Sequence, residues 1–316
     1  MHRSRPRPVD MPLTAGGKGR LSARIGSAAA LAVVVAAGAD PASAARVTYV
    51  GTYVWQSDEP TFGGFSGLEV SDDGSRYWAL SDRATIRWGS FERDRAGRIR
   101  GMTTAGTAAL RSTKGAPLKP GYEGDSEGLA IAPDGTIWVS FEGLNRVVSY
   151  ATPDSSAQAI PLPPAFTDLP DNGGLEALAV LPEGTLLTVP ERSGGTDKPY
   201  QFYRFRDGAW DQPFTMPRSD SWLPVGADVG SDGRLYLLER NFRGIMGFAS
   251  RVRRFDIAED GLSGGEVLLT TSPGQYDNLE GLAVWRNDRG IHLTMISDDN
   301  FLIFQRTELV EYRVTD

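Results

Sequence analysis

One five-residue phrase returns five times along this 316-residue chain, and its carboxylates return with it. The copies read Ser66-Gly67-Leu68-Glu69-Val70, Glu127-Gly128-Leu129-Ala130-Ile131, Glu176-Ala177-Leu178-Ala179-Val180, Val225-Gly226-Ala227-Asp228-Val229 and Glu280-Gly281-Leu282-Ala283-Val284. Each is followed by a turn ending in glycine (Gly74, Gly135, Gly184, Gly233, Gly290). A β-forming run comes next and ends on an acid again: Asp82, Glu142, Glu191, Glu239 and Asp298. Self-similarity at a period of about 50 residues means stacked or radial copies of one unit, each too small to bury its own apolar face.

Within a copy the pattern is that of antiparallel hairpins. In the second, the small-residue strand 128–132 leads through Pro133-Asp134-Gly135 to the β-branched run Thr136–Phe141, then to Arg146–Tyr150 and Ala157–Leu162. Aspartate-glycine turns between runs of β-formers are a strong hairpin signal. No stretch sustains a 3.6-residue apolar period, so an all-β fold is expected. Four strands per copy at this period describe the blade of a β-propeller. The phrase positions 67, 128, 177, 226 and 281 lie 61, 49, 49 and 55 residues apart. The pieces outside them, 45–67 and 281–316, make up one further interval. Five blades of four strands follow, closed by Val47–Trp55 beside Leu309–Val314 so that no sheet edge is left open. Six blades is the alternative, if the long first interval hides a degenerate copy.

A propeller lines its channel with the first strand of each blade, and the second strand runs back antiparallel. An acid opening the first strand and an acid closing the second then share one end of the blade. Glu127 is expected beside Glu142, Glu176 beside Glu191, and Glu280 beside Asp298. In the first and fourth copies the inner acid stands three positions further on, pairing Glu69 with Asp82 and Asp228 with Glu239. All ten carboxylates are expected at one channel mouth as ligands of a calcium-like cation, since like charges that close need compensation. Arg83, Arg192 and Arg240 follow the second-strand acids directly and are the candidates to hold an anionic substrate. Glu127, Glu176 and Glu280 are the candidate catalytic carboxylates.

Composition removes other chemistries. The chain has no cysteine and two histidines, His2 and His292, so thiolate chemistry, histidine-rich zinc sites and a serine triad with its elbow motif find no support. Six basic residues, the apolar run Ile25–Ala37 and Ala42-Ser43-Ala44 mark residues 1–44 as a secretory signal, with the domain at 45–316 and a periplasmic or secreted destination. That segment carries six of the 33 Lys+Arg and two of the 40 Asp+Glu, which leaves 27 basic against 38 acidic residues, a net charge of −11. Such a surface argues against nucleic acid or an anionic membrane as partner. No second apolar run is long enough to span a bilayer, and a monomer is expected.

The phrases as a set resemble the exported bacterial family known as esterase-like activity of phytase, or phytase-like domain proteins. The resemblance rests on Phe65-Ser66-Gly67-Leu68 with Ala79-Leu80-Ser81-Asp82-Arg83, on Asp125-Ser126-Glu127-Gly128-Leu129-Ala130, and on Gly174-Leu175-Glu176-Ala177-Leu178. It continues through Leu238-Glu239-Arg240-Asn241-Phe242, Asn278-Leu279-Glu280-Gly281-Leu282 and Ser297-Asp298-Asp299-Asn300-Phe301. It implies phosphoesterase activity by analogy with calcium-dependent propeller phytases. The expected function is therefore cation-assisted hydrolysis of a phosphate mono- or diester, with a small anionic ester as substrate. A calcium-dependent lactonase or carboxylesterase, or a non-catalytic binding propeller, is the alternative.

Overall fold

The computed structural model describes residues 46–315, so the proposed signal segment lies outside the described residues. The phrases form the inner strands of five four-stranded antiparallel sheets: Phe65–Val70, Ser126–Ile131, Leu175–Val180, Leu223–Val229 and Asn278–Asn287, in blades I to V. The second strands are Arg76–Ser81, Ile137–Phe141, Leu186–Pro190, Leu235–Phe242 and Gly290–Asp298. In blade V the order runs from the inner strand through Gly290–Asp298 and Thr307–Val314 to Val47–Trp55. The closing pair runs from Val47 opposite Val314 to Trp55 opposite Thr307, as the sequence predicts. The long first interval holds no sixth blade. Its extra length goes into the third and fourth strands of blade I, Thr85–Arg93 and Ile99–Ala109, and into the link that follows them. Blade III carries one addition, a two-stranded ribbon of Tyr200–Gln201 with Thr215–Met216.

The core lies between blades as well as within them. Trp55, from the closing strand, stacks on Phe65 at 5.1 Å and meets Tyr77 edge-on at 5.2 Å, so closure buries aromatic area as well as pairing backbone. Inner strands are small because they crowd one another. A Cβ added at Gly128 would stand 2.5 Å from the carbonyl oxygen of Glu176 in the next blade, closer than packing permits. Leu68, Leu129, Leu178 and Leu282, with Ala227, meet near the axis around a void of only about 10 Å³. This apolar layer divides the channel into two separate ends.

All five inner strands carry a β-bulge at the same place. Their register against the second strand slips at Ser66, Glu127, Glu176, Val225 and Glu280. A bulge adds one residue on one strand and re-aims a side chain. Here it is the phrase's own first residue, which brings three glutamates to the mouth end of the channel.

Candidate active site at the acidic mouth

Two rings of positions surround the mouth. The bulges supply Glu127, Glu176 and Glu280, with Ser66 and Val225 at the equivalent places. On each second strand, the residue that follows the one paired just before the bulge supplies Asp82, Glu142, Glu191 and Asp298. In blade IV that place is taken by Arg240 and not by Glu239, because Glu239 stands opposite Pro224 where Ser81, Phe141, Pro190 and Ser297 stand in the others. One residue of register turns a side chain to the other face of a sheet. Glu239 accordingly leaves the mouth and lies under Arg251 and Arg253, accepting Nε of Arg251 at 2.7 Å and two bonds from Arg253 at 2.8 and 2.7 Å. It is a buried structural anion.

Glu69 and Asp228 depart from the expected ring as well. They follow Leu68 and Ala227 in sequence, so they lie beyond the apolar layer, at the hairpin end of the channel. There they border a cavity of about 760 Å³ with Asp72, Arg76, Trp78 and Arg286. Each ties its blade to the next: Glu69 accepts the Ile131 N–H at 3.1 Å, and Asp228 accepts those of Val284 at 2.6 Å and Val229 at 2.7 Å. Three residues along a strand is about 10 Å, enough to change ends of so short a channel. Seven of the ten expected acids therefore share the mouth.

Arg240 reaches across it. Its guanidinium donates to Glu191 from Nε at 3.0 Å and from Nη2 at 2.5 Å, and its Nη1 pairs with Glu280. Asn278 donates to the same Glu280 oxygen at 2.7 Å. Burial alone would weaken the charge on Arg240, but Glu280, Glu191 and Glu176 outweigh it and hold the proton more tightly than usual. The other arginines stay at the rim. Arg83 is exposed and lies over the Phe301 ring at 3.2 Å, and Arg192 is exposed beside Glu191 at 3.3 Å.

Among the described residues no lysine or arginine pairs with Asp125, Glu127 or Glu142. Carboxylate oxygens of Asp125, Glu127 and Glu142 lie within 4.8 Å of one another. Asp125 was not among the expected ligands, because it precedes the repeated phrase; its signal is the Asp125-Ser126-Glu127 spacing, which puts both acids on one side of an extended segment. Glu142 is anchored by the N–H groups of Gly173 at 2.6 Å and Gly174 at 3.1 Å. Burial pushes Glu127 well above the usual carboxylate range, and Glu176, Glu280, Glu142 and Asp125 push it further. Burial, then Glu191, raises Glu176 against the pull of Arg240. Burial likewise lifts Asp82 to about 7 and Asp298 to about 9. Hard oxygen donors at this spacing, with their negative charge uncompensated, fit a hard divalent cation such as calcium.

Comparison with known proteins follows the geometry. The profile of the phytase-like family, described as esterase-like activity of phytase, matches residues 60–301. The chain belongs to this family. Membership makes it an ester-hydrolase-type enzyme of this propeller family. No curated protein sequence matches it. Among solved structures it is similar to the α-L-arabinofuranosidase PaAbf62A of Podospora anserina, at 11% identity and a TM-score of 0.52 over 85% of this chain and 97% of that one. It is also similar to the aldose sugar dehydrogenase of Streptomyces coelicolor, at 14% identity and a TM-score of 0.45 over 84% and 98%. The gluconolactonase XC5397 of Xanthomonas campestris gives 17% identity and a TM-score of 0.39 over 75% and 68%. At these identities the likeness is one of fold alone.

Proposed function

We propose that the acidic mouth hydrolyses a small neutral carboxylic ester or lactone with the help of a divalent cation. The observation that carries this reading is the Asp125–Glu127–Glu142 cluster with Glu176 beside it and the inner arginine already committed. A phosphate ester would bring negative charge into a mouth where, among the described residues, Asp82, Asp125, Glu127, Glu142, Glu176, Glu191, Glu280 and Asp298 face a single inner arginine. Like charges repel strongly where water is scarce, so a neutral ester is the better fit.

Asp125, Glu127 and Glu142 would hold the cation. When bound, it supplies a Lewis acid for a carbonyl oxygen and lowers the pKa of a water. Glu176 is the base in this reading: Glu280 and Glu191 are occupied by Arg240, whereas Glu176 is buried, raised and next to Glu127. A base with a raised pKa takes a proton from water more readily. Glu176 would accept that proton as the water oxygen bonds to the carbonyl carbon. It would return the proton to the departing alcohol oxygen as the ester C–O bond breaks, leaving acid and alcohol. Arg240 pairs with Glu191 and Glu280 and fixes the far wall.

A phosphate mono- or diester is the second reading, favoured by the exposed Arg83 and Arg192 at the rim. One panel separates the two. Purified protein with calcium is assayed on a lactone, an aryl carboxylic ester, a phosphomonoester and a phosphodiester, with and without chelator. Turnover of the carboxylic esters that chelator abolishes is expected, and Glu176→Gln should lower it about tenfold or more, roughly 1.4 kcal/mol of barrier. Turnover confined to phosphate esters would favour the second reading. Inertness toward all four would leave a cation-binding propeller without catalysis.

A further inference from the structure

The loops around the mouth carry an apolar rim that the hydrolytic reading does not use. Ile245 and Ile303 are fully exposed, at the tips of the loops that follow the second strands of blades IV and V. Phe242 is 64% exposed, Met246 60% and Phe304 77%, and Leu302 is exposed beside them. Large apolar side chains grouped on a soluble surface mark a place where something else binds.

The loops are held in shape rather than collapsed. Phe242 packs on Phe248 at 5.0 Å, and the N–H of Gly274 bonds the Phe248 carbonyl at 2.8 Å. Asp277, on the same connector, accepts Gln305 at 2.7 Å and the Arg306 N–H at 2.9 Å. One connector thus braces both tips side by side. Asn300 and Phe301 both adopt positive φ, 48° and 52°, an unfavourable conformation that turns Leu302, Ile303 and Phe304 outward. Exposed Arg243 stands among these side chains, and so does exposed Arg306, whose Nη2 also pairs with Glu308 at 3.1 Å.

We propose that this rim docks the mouth on a zwitterionic phospholipid surface, from which the ester substrate is drawn. Isoleucine, methionine and phenylalanine tips enter the boundary between headgroups and acyl chains, while arginines on the same loops meet lipid phosphates. The net charge of −11 on residues 45–316 opposes an anionic bilayer, which selects the zwitterionic surface. The substrate half of this proposal rests on the hydrolase reading, and the docking half does not.

Sedimentation with phosphatidylcholine vesicles tests it. Wild-type protein should pellet with the vesicles. The double variant Ile245→Ser, Ile303→Ser should partition about tenfold less, with an unchanged melting temperature because both side chains are already in water. Glu127→Gln should pellet like wild type, so that loss of turnover and loss of docking are read separately. Wild type left in the supernatant overturns docking even if soluble esters are hydrolysed. So does a double variant that binds like wild type. Stronger binding to phosphatidylglycerol than to phosphatidylcholine overturns the choice of surface.

Discussion

Arg240 replaces a carboxylate at the fourth place of the outer ring, and its guanidinium reaches the blades on both sides. Removing it strands Glu191 and Glu280 as uncompensated buried charges, which costs far more than a surface pair does. Arg240→Met should lower unfolding free energy by about 3 kcal/mol in urea titrations, and added calcium should recover part of it. A loss no greater than that of an exposed arginine would mean the two glutamates are neutral in the folded state. At the other end, burial raises Asp228 from 3.8 to about 7 despite the N–H groups of Val284 and Val229. The unfolded chain then releases this proton first. The stabilisation is complete below about 4 and is lost as pH rises toward 7. The carboxylate accepts Val229 on Oδ1 and Val284 on Oδ2. Asp228→Asn cannot titrate and keeps only one acceptor oxygen, so it should start less stable, but its melting temperature should fall less than the wild type's between about pH 5 and pH 8. Equal slopes would place the titration elsewhere.

At the scale of the strand, the bulge decides which residues face the mouth. The repeated phrase reveals its place, because Glu127, Glu176 and Glu280 all stand directly before the small residue that packs on the neighbouring blade. What the phrase hides is register in the second strand. Aligning acid with acid put Glu239 in the ring. Aligning Leu238 with Leu80 and Ile296, which face Gly226, Gly67 and Gly281, puts Arg240 there. Glu69 and Asp228 leave the ring for a related reason: an acid three positions further along the inner strand is still expected to pair with the second-strand acid, whereas an apolar layer lies between. Asp125 lies outside every repeat, so periodicity could not find it. The close approach of inner strands has its own test. Gly128→Ala sets a methyl 2.5 Å from the Glu176 carbonyl oxygen, so it should cost about 1–3 kcal/mol of stability by overpacking. A neutral effect in thermal melts would show that the blades can part as the Ala177 copy requires.

The ring as a whole was legible: blade count, strand order and closure by Val47–Trp55 all follow from interval lengths and turn chemistry. Closure is also where the whole molecule is most vulnerable. Without residues through Trp55 the Thr307–Val314 strand becomes an open edge, and Phe65 and Tyr77 lose their aromatic partner. A chain starting after Trp55 should lose its cooperative thermal transition and associate at concentrations where the full chain stays monodisperse in light scattering. A sharp transition retained by the shortened chain would show that four complete blades and a three-stranded fifth suffice.

A sheet finished by a strand from the far end of the sequence also sets an order in time. Four blades are built from contiguous chain and can form as soon as their own residues are present. The fifth must wait for two partners separated by all the others. Contacts that distant form late and slowly. Until they do, two unpaired edges face outward, each able to accept a strand from a neighbouring molecule. Crowding during folding is thus a hazard that the finished ring no longer shares.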